Sequence, residues 1–207
     1  MDGPKVVQVD SEAPSRAAIR RACEVLRGGG VIVYPTETVY GLGADALHVR
    51  GIGRVYAIKG RDVGKPLGLV VSDEKMLREV VTEIPEVARA LMRRFWPGPL
   101  TLVFGASDEV PREVLGGGET VAVRISSSPV VRELLDLYGR PLTATSANRS
   151  GVRPARSAQE AMEQVGAEVD LILDGGPSED EVPSTVVDVS EGEMRVLRVG
   201  KIGLGDW

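Results

Sequence analysis

Six short apolar runs, at residues 31–34, 67–71, 100–104, 120–125, 142–145 and 171–173, recur along this chain. Each is too brief for a buried helix and rich in Val, Ile, Leu or Thr, so each reads as a buried strand. Segments with helical spacing separate them. Residues 14–27 place Ile19, Cys23 and Leu26 on one face, and Gly28-Gly29-Gly30 ends the helix. Further helices are predicted at 52–58, 74–81, 85–95 with Pro85 at its start, 129–138 capped by Ser127 or Ser128, and 158–165. A first strand over 5–9 and a closing hairpin of 184–189 with 195–199 across Glu191-Gly192 complete the set. Residues 35–43 read as a loop or bent extended segment, 105–118 as a long polar loop, and 177–183, with Asp180-Glu181, as an acidic loop. Strands and helices do not alternate strictly, so the predicted class is α/β with a mixed sheet, not a regular doubly wound fold.

The 207 residues fit one large domain, and a hydrophobic share of 43% is enough for a real core. No repeat or domain linker is visible. No apolar run reaches the length of a membrane span, and Met1-Asp2-Gly3-Pro4-Lys5 leads into no signal-peptide core. Cys23 is the only cysteine, which excludes an internal disulfide and a thiolate cluster; its neighbours place it as a small buried helix residue. His48 is the only histidine and has no context for a zinc site or a Ser-His-Asp triad. A cytoplasmic protein is expected, working through Lys, Arg, Ser, Thr and backbone groups. The formal net charge of −5 is unlike that of proteins that mainly grip nucleic-acid backbone, so tRNA contact is expected to be weak and steeply salt-dependent. One asparagine and three glutamines beside plentiful Glu and Arg lean toward a heat-adapted protein.

Five segments carry chemistry. In Tyr34-Pro35-Thr36-Glu37-Thr38-Val39-Tyr40-Gly41-Leu42-Gly43, a buried strand runs into hydroxyls and glycines that can face a small polar ligand. The embedded Gly41-x-Gly43-x-x-Ala46 is not a dinucleotide fingerprint, because Thr36 to Tyr40 separate the strand from the first glycine. Lys59-Gly60-Arg61 and Lys65 put three cations at a helix end and in the next loop. They suit phosphate, but taken alone they read better as a solvated basic helix terminus. Arg124 sits inside the apolar run Val121-Ala122-Val123-Arg124-Ile125, where it either faces water or reaches into a pocket and holds an anion such as a carboxylate. Leu142 to Gly151, with Arg153-Pro154 after it, ends a strand in small polar side chains, including the only asparagine, Asn148. The last segment is the hydroxyl-bearing strand entry Pro183-Ser184-Thr185, paired with Arg198 near the end of the chain.

In their order and spacing, PTETVYGLG, KGR, VRI followed by Ser and Pro, TSANRSG, STVVD and LRVGKI resemble the YrdC-type threonylcarbamoyl-AMP synthase family, from about Gly28 to Lys201. The resemblance implies a twisted mixed sheet with flanking helices and a concave basic cleft. It implies that L-threonine, bicarbonate or CO2, and ATP give threonylcarbamoyl-AMP and pyrophosphate. A downstream transferase then modifies tRNA. By position, Thr38, Arg124, Ala144 and Ser184 would touch threonine. Lys59, Arg61, Lys65, Thr120, Ser146, Asn148, Pro154 and Arg198 would touch ATP. Lys59 and Arg61 would neutralise phosphate charge, Tyr40 would shape the threonine site, and Mg2+ would be held through the phosphates and by no protein ligand. Lys65 stands where many relatives have Asn before Pro-Leu, which puts in question its phosphate contact. Larger relatives carry a linker and a second domain. This chain is expected to be one catalytic domain over 1–207 with no second C-terminal domain. Two alternatives are a non-catalytic double-stranded RNA or tRNA-binding module and a carbamoyl-adenylate-forming domain that uses carbamoyl phosphate. The acidic balance and the 4% aromatic content argue against the first.

Overall fold

The computed structural model describes residues 5–178 and 182–203. The acidic residues Asp180 and Glu181 and the N-terminal Met1 to Pro4 lie outside the described residues. In chain order the elements are β1 (Lys5–Gln8), α1 (Arg16–Arg27), β2 (Ile32–Tyr34), β3 (Gly41–Gly43), α2 (Val49–Lys59), β4 (Gly68–Val70), α3 (Glu74–Val80) and α4 (Glu86–Phe95). There follow β5 (Leu100–Gly105), α5 (Arg112–Leu115), β6 (Thr120–Arg124), α6 (Pro129–Tyr138), β7 (Leu142–Ser146), α7 (Ala158–Val165), β8 (Leu171–Asp174), β9 (Thr185–Asp188) and β10 (Arg195–Arg198). The described strands form one sheet in the order β1-β8-β2-β3-β7-β4-β6-β5-β9-β10. It is mixed: β1/β8, β2/β8, β4/β6 and β5/β9 are parallel, and the other neighbours are antiparallel. No helix among the described residues is long and apolar enough to cross a membrane.

Local chemistry explains the elements. The Ser15 hydroxyl accepts from the Ala18 N–H to cap α1, whose buried stripe of Ala18, Ile19, Ala22, Cys23 and Leu26 packs on α6 and β8. His48 is the N-cap of α2, its Nδ1 accepting from the Gly51 N–H at 3.4 Å, so the lone histidine is structural. Ser128 is the residue before α6, but its hydroxyl does not cap the helix. It donates instead to the Pro35 carbonyl at 3.3 Å and ties the first polar loop to α6. Two segments expected to be loops contain regular structure. Residues 112–115 form the single-turn α5, and 41–43 form β3, paired antiparallel to β2. A Gly-Leu-Gly triplet carries too little apolar signal to announce a strand.

The two glycines of β3 exist for a packing reason. A Cβ on Gly43 would lie 2.8 Å from both the Thr143 carbonyl oxygen and the Tyr34 ring, and one on Gly41 would lie 2.8 Å from the same ring. Tyr34 is 1% exposed, and its hydroxyl donates to the Thr143 carbonyl at 3.3 Å, so neither neighbour can yield. Gly43→Ala is expected to lower stability by roughly 1–3 kcal/mol through overpacking. At Gly53, inside α2, a Cβ meets nothing within 4 Å, and Gly53→Ala is expected to raise stability by roughly 0.5–1 kcal/mol. Denaturant midpoints at constant slope check both signs.

Candidate functional site

Alternation along the central strands makes the site. On β6, Val121 and Val123 are buried at 1% and 0% exposure, which turns Ala122 and Arg124 to the other face. There the register sets Gly68 opposite both Ala122 and Ala144. Three small residues side by side on β4, β6 and β7 leave a floor with no side-chain bulk. A Cβ on Gly68 would come within 3.1 Å of the Ala144 carbonyl oxygen. Above this floor lies a cavity of about 360 Å³, within the range of small-ligand sites. Among the described residues, the charged side chains in its wall are Arg61, Arg124 and Arg198, and no carboxylate lines it.

One end is built by the loop between β2 and β3. The Thr36 hydroxyl donates to the Val39 carbonyl at 2.6 Å and accepts from the Thr38 N–H at 3.1 Å. Its proton is therefore committed, so the 3.0 Å contact between the two threonine hydroxyls has Thr38 as donor. That leaves Thr38 Oγ1 with acceptor capacity only. The Arg124 guanidinium has no hydrogen bond among the described residues. Its partner is Glu37, with Nη1 3.5 Å from Oε1, an ion pair too long for a hydrogen bond. The Ser126 hydroxyl donates to Glu37 Oε2, while Glu37 Oε1 is buried without a hydrogen bond. Of the two readings of Arg124, solvent-facing or pocket-lining, the second describes the structure.

The opposite wall comes from β5, β9 and β10. Arg198 donates from Nε and Nη2 to the Ser184 carbonyl at 3.1 and 2.8 Å, and the Ser184 hydroxyl is 2.8 Å from that of Thr101. Burial first, and then the like charge of Arg124, lower the Arg198 pKa from its ordinary value. The Arg124 and Arg198 guanidiniums share one cavity. Arg61, half-exposed, is held by the Pro66 carbonyl at 3.0 Å, and Ser146 and Pro154 also line the space. Tyr40 lines it too. Its hydroxyl donates to the Gly176 carbonyl at 2.6 Å and accepts from the Gly175 N–H at 3.1 Å, and burial pushes its pKa up to about 12.

Eight of the twelve residues carried over from the resemblance thus line one cavity: Thr38, Arg61, Arg124, Ala144, Ser146, Pro154, Ser184 and Arg198. Four do not. Lys65 and Thr120 are exposed and outside the wall. Lys59, expected on the phosphates, is 3% exposed and lies behind the wall. Its ammonium donates to the Ser146 carbonyl at 2.6 Å, the Asn148 carbonyl at 2.9 Å and Asn148 Oδ1 at 3.3 Å, which uses all three protons. Asn148 is likewise committed, donating from Nδ2 to the Arg149 and Val152 carbonyls. Both residues brace the turn after β7. Sequence reasoning gave no role to Glu37, Thr36, Thr101 or Ser126. The sequence shows Glu37 only as a carboxylate between two threonines in a polar loop and gives no sign of its partner.

Among the described residues, then, this α/β protein has a cavity whose wall holds three arginines and several hydroxyls and no carboxylate. The chain belongs to the Sua5/YciO/YrdC family, whose model, described as telomere recombination, matches residues 24–200. It is 42% identical over 186 residues to the threonylcarbamoyl-AMP synthase of Pyrococcus abyssi, covering 90% of this chain and 55% of that protein. It is 41% identical to the threonylcarbamoyl-AMP synthase of Thiobacillus denitrificans, covering 82% of this chain and 89% of the relative. The crystal structure of P. abyssi Sua5 complexed with L-threonine superposes with a TM-score of 0.92 at 40% identity, covering 96% of this chain and 58% of that one. The chain thus spans little more than half the length of the P. abyssi protein.

Proposed function

We propose that this chain makes threonylcarbamoyl-AMP and pyrophosphate from L-threonine, CO2 or bicarbonate, and ATP, and so supplies a transferase that modifies tRNA. The observation that carries the reading is one cavity that holds the Arg124 guanidinium, free of hydrogen bonds, together with Arg61 and Arg198 and no lining carboxylate among the described residues. Arg124 has its donors free, and a carboxylate matches its planar fork. The names of the two relatives support the same reading.

The chemistry needs positioning more than a protein nucleophile. The threonine amine forms an N–C bond to CO2 and loses a proton, giving a carbamate. A carbamate oxygen then bonds to the α-phosphorus of ATP as the bond to the β-phosphate oxygen breaks, and pyrophosphate leaves. Phosphorus-centred transfer of this kind depends on alignment and charge stabilisation. Arg61 and Arg198 are the cavity cations available for phosphate oxygens. Mg2+ carried by the ATP phosphates would add positive charge beside Arg61 and Arg198.

Pyrophosphate release, assayed with each of threonine, bicarbonate and ATP left out in turn, tests the proposal. Release is expected only with all three present. Equal release without threonine, sustained by carbamoyl phosphate, would replace it with carbamoyl-adenylate formation.

A further inference from the structure

We infer that Glu37 is a specificity-determining residue, the buried counter-charge that makes the Arg124 end of the cavity select a carboxylate bearing an adjacent ammonium over a plain anion. The inference rests on the proposed use of threonine and deepens it. Arg124 and Glu37 are buried together, at 11% and 14% side-chain exposure, and their charges cancel at that end of the cavity. Elsewhere in the wall, Arg61 and Arg198 are held by carbonyl oxygens, and no carboxylate lines the cavity among the described residues. The cavity is therefore polarised. A polyphosphate is drawn to the uncompensated cations, while the compensated end suits a ligand that is itself neutral overall.

Glu37 is placed for this and for little else. Ser126 fixes one carboxylate oxygen, and the other points at Arg124 without a hydrogen bond. Arg124 is thus held by charge alone, and its fork stays free for a ligand. A plain carboxylate on that fork must compete with Glu37 for the same cation. A zwitterion carries its ammonium on the carbon next to the carboxylate and brings its own compensation for Glu37. Thr38 adds directional selection, because its hydroxyl can only accept from a ligand. Burial makes the charge term large, since a unit charge is weakly screened inside a protein.

The test compares L-threonine with 3-hydroxybutyrate, the same skeleton without the amine, by calorimetric titration. Wild type is expected to prefer threonine by about tenfold or more. Glu37→Gln keeps the shape and removes the charge, and is expected to shrink that preference to about threefold or less. Ser126→Ala removes the hydrogen bond but keeps the charge, and should retain most of the preference. An undiminished preference in folded Glu37→Gln would overturn the inference. So would equal binding of the two ligands by wild type, which needs no variant to fold. Failure of wild type to bind threonine at all would instead overturn the proposed function.

Discussion

Arg124→Ala is expected to weaken L-threonine binding by roughly 2–4 kcal/mol, the value of a two-point charged contact at a partly buried site. The cause begins in the strand pattern. Val121 and Val123 face the core, so Arg124 must face the cavity, and it reaches there with no hydrogen bond to the protein. A ligand carboxylate would make the first hydrogen bonds that this guanidinium has. The variant also leaves Glu37 without its cation in a buried position, which adds to the cost. Binding of a non-hydrolysable ATP analogue should change by less than about threefold, well under 1 kcal/mol, because Arg61 and Arg198 remain. Arg124→Lys should recover only part of the loss, since an ammonium lacks the planar fork. Calorimetric titration of both ligands, with circular dichroism confirming the fold, gives the result. Normal threonine binding by folded Arg124→Ala would leave Arg124 as a strand residue with no ligand.

Residues whose own chemistry is unusual for their surroundings were the legible ones. An arginine amid valines and alanine has to explain itself; the pattern of β6 singled out Arg124 but left it between water and a pocket, and the family resemblance gave it a ligand. The strands and helices were legible for the related reason that burial writes a period into the sequence; α7 spans 158–165 as read, and most other boundaries move by one to three residues. Partnerships were not legible. Nothing in the order of residues says that Glu37 meets Arg124 and Ser126, because 87 and 89 positions separate them and only the sheet brings them together. The glycines of β3 were invisible as a strand for another reason. Their role is to make room for Tyr34, and an absence of side chain carries no period. Lys59 illustrates the limit of reading charge. A lysine at a helix C-terminus beside Arg61 has the sequence pattern of a phosphate site, but the fold turns its ammonium inward onto carbonyls.

Lys59→Met is expected to destabilise the protein by roughly 2–4 kcal/mol at pH 7, because three buried acceptors lose their donor at about 1–3 kcal/mol each, offset in part by removal of a buried charge. That offset can be isolated by pH. Burial first, and the Arg61 charge second, hold the Lys59 pKa at about 8, against an ordinary lysine near about 10.4. The folded state therefore binds this proton less well than the unfolded chain does. Below pH 8 both states are protonated, and the full penalty, roughly 3 kcal/mol, is present. As pH rises from 8 toward the ordinary value, the folded state gives up the proton while the unfolded chain keeps it. The Lys59 contribution to stability thus increases with pH across that window. Denaturant melts from pH 7 to 10 should show this rise in wild type, superimposed on the titration of other groups, and a smaller rise in Lys59→Met. The variant should also bind the ATP analogue about tenfold or more weakly, since the Ser146 turn it braces lines the cavity. A loss of ATP binding with unchanged stability at every pH would move Lys59 from behind the wall onto the phosphates.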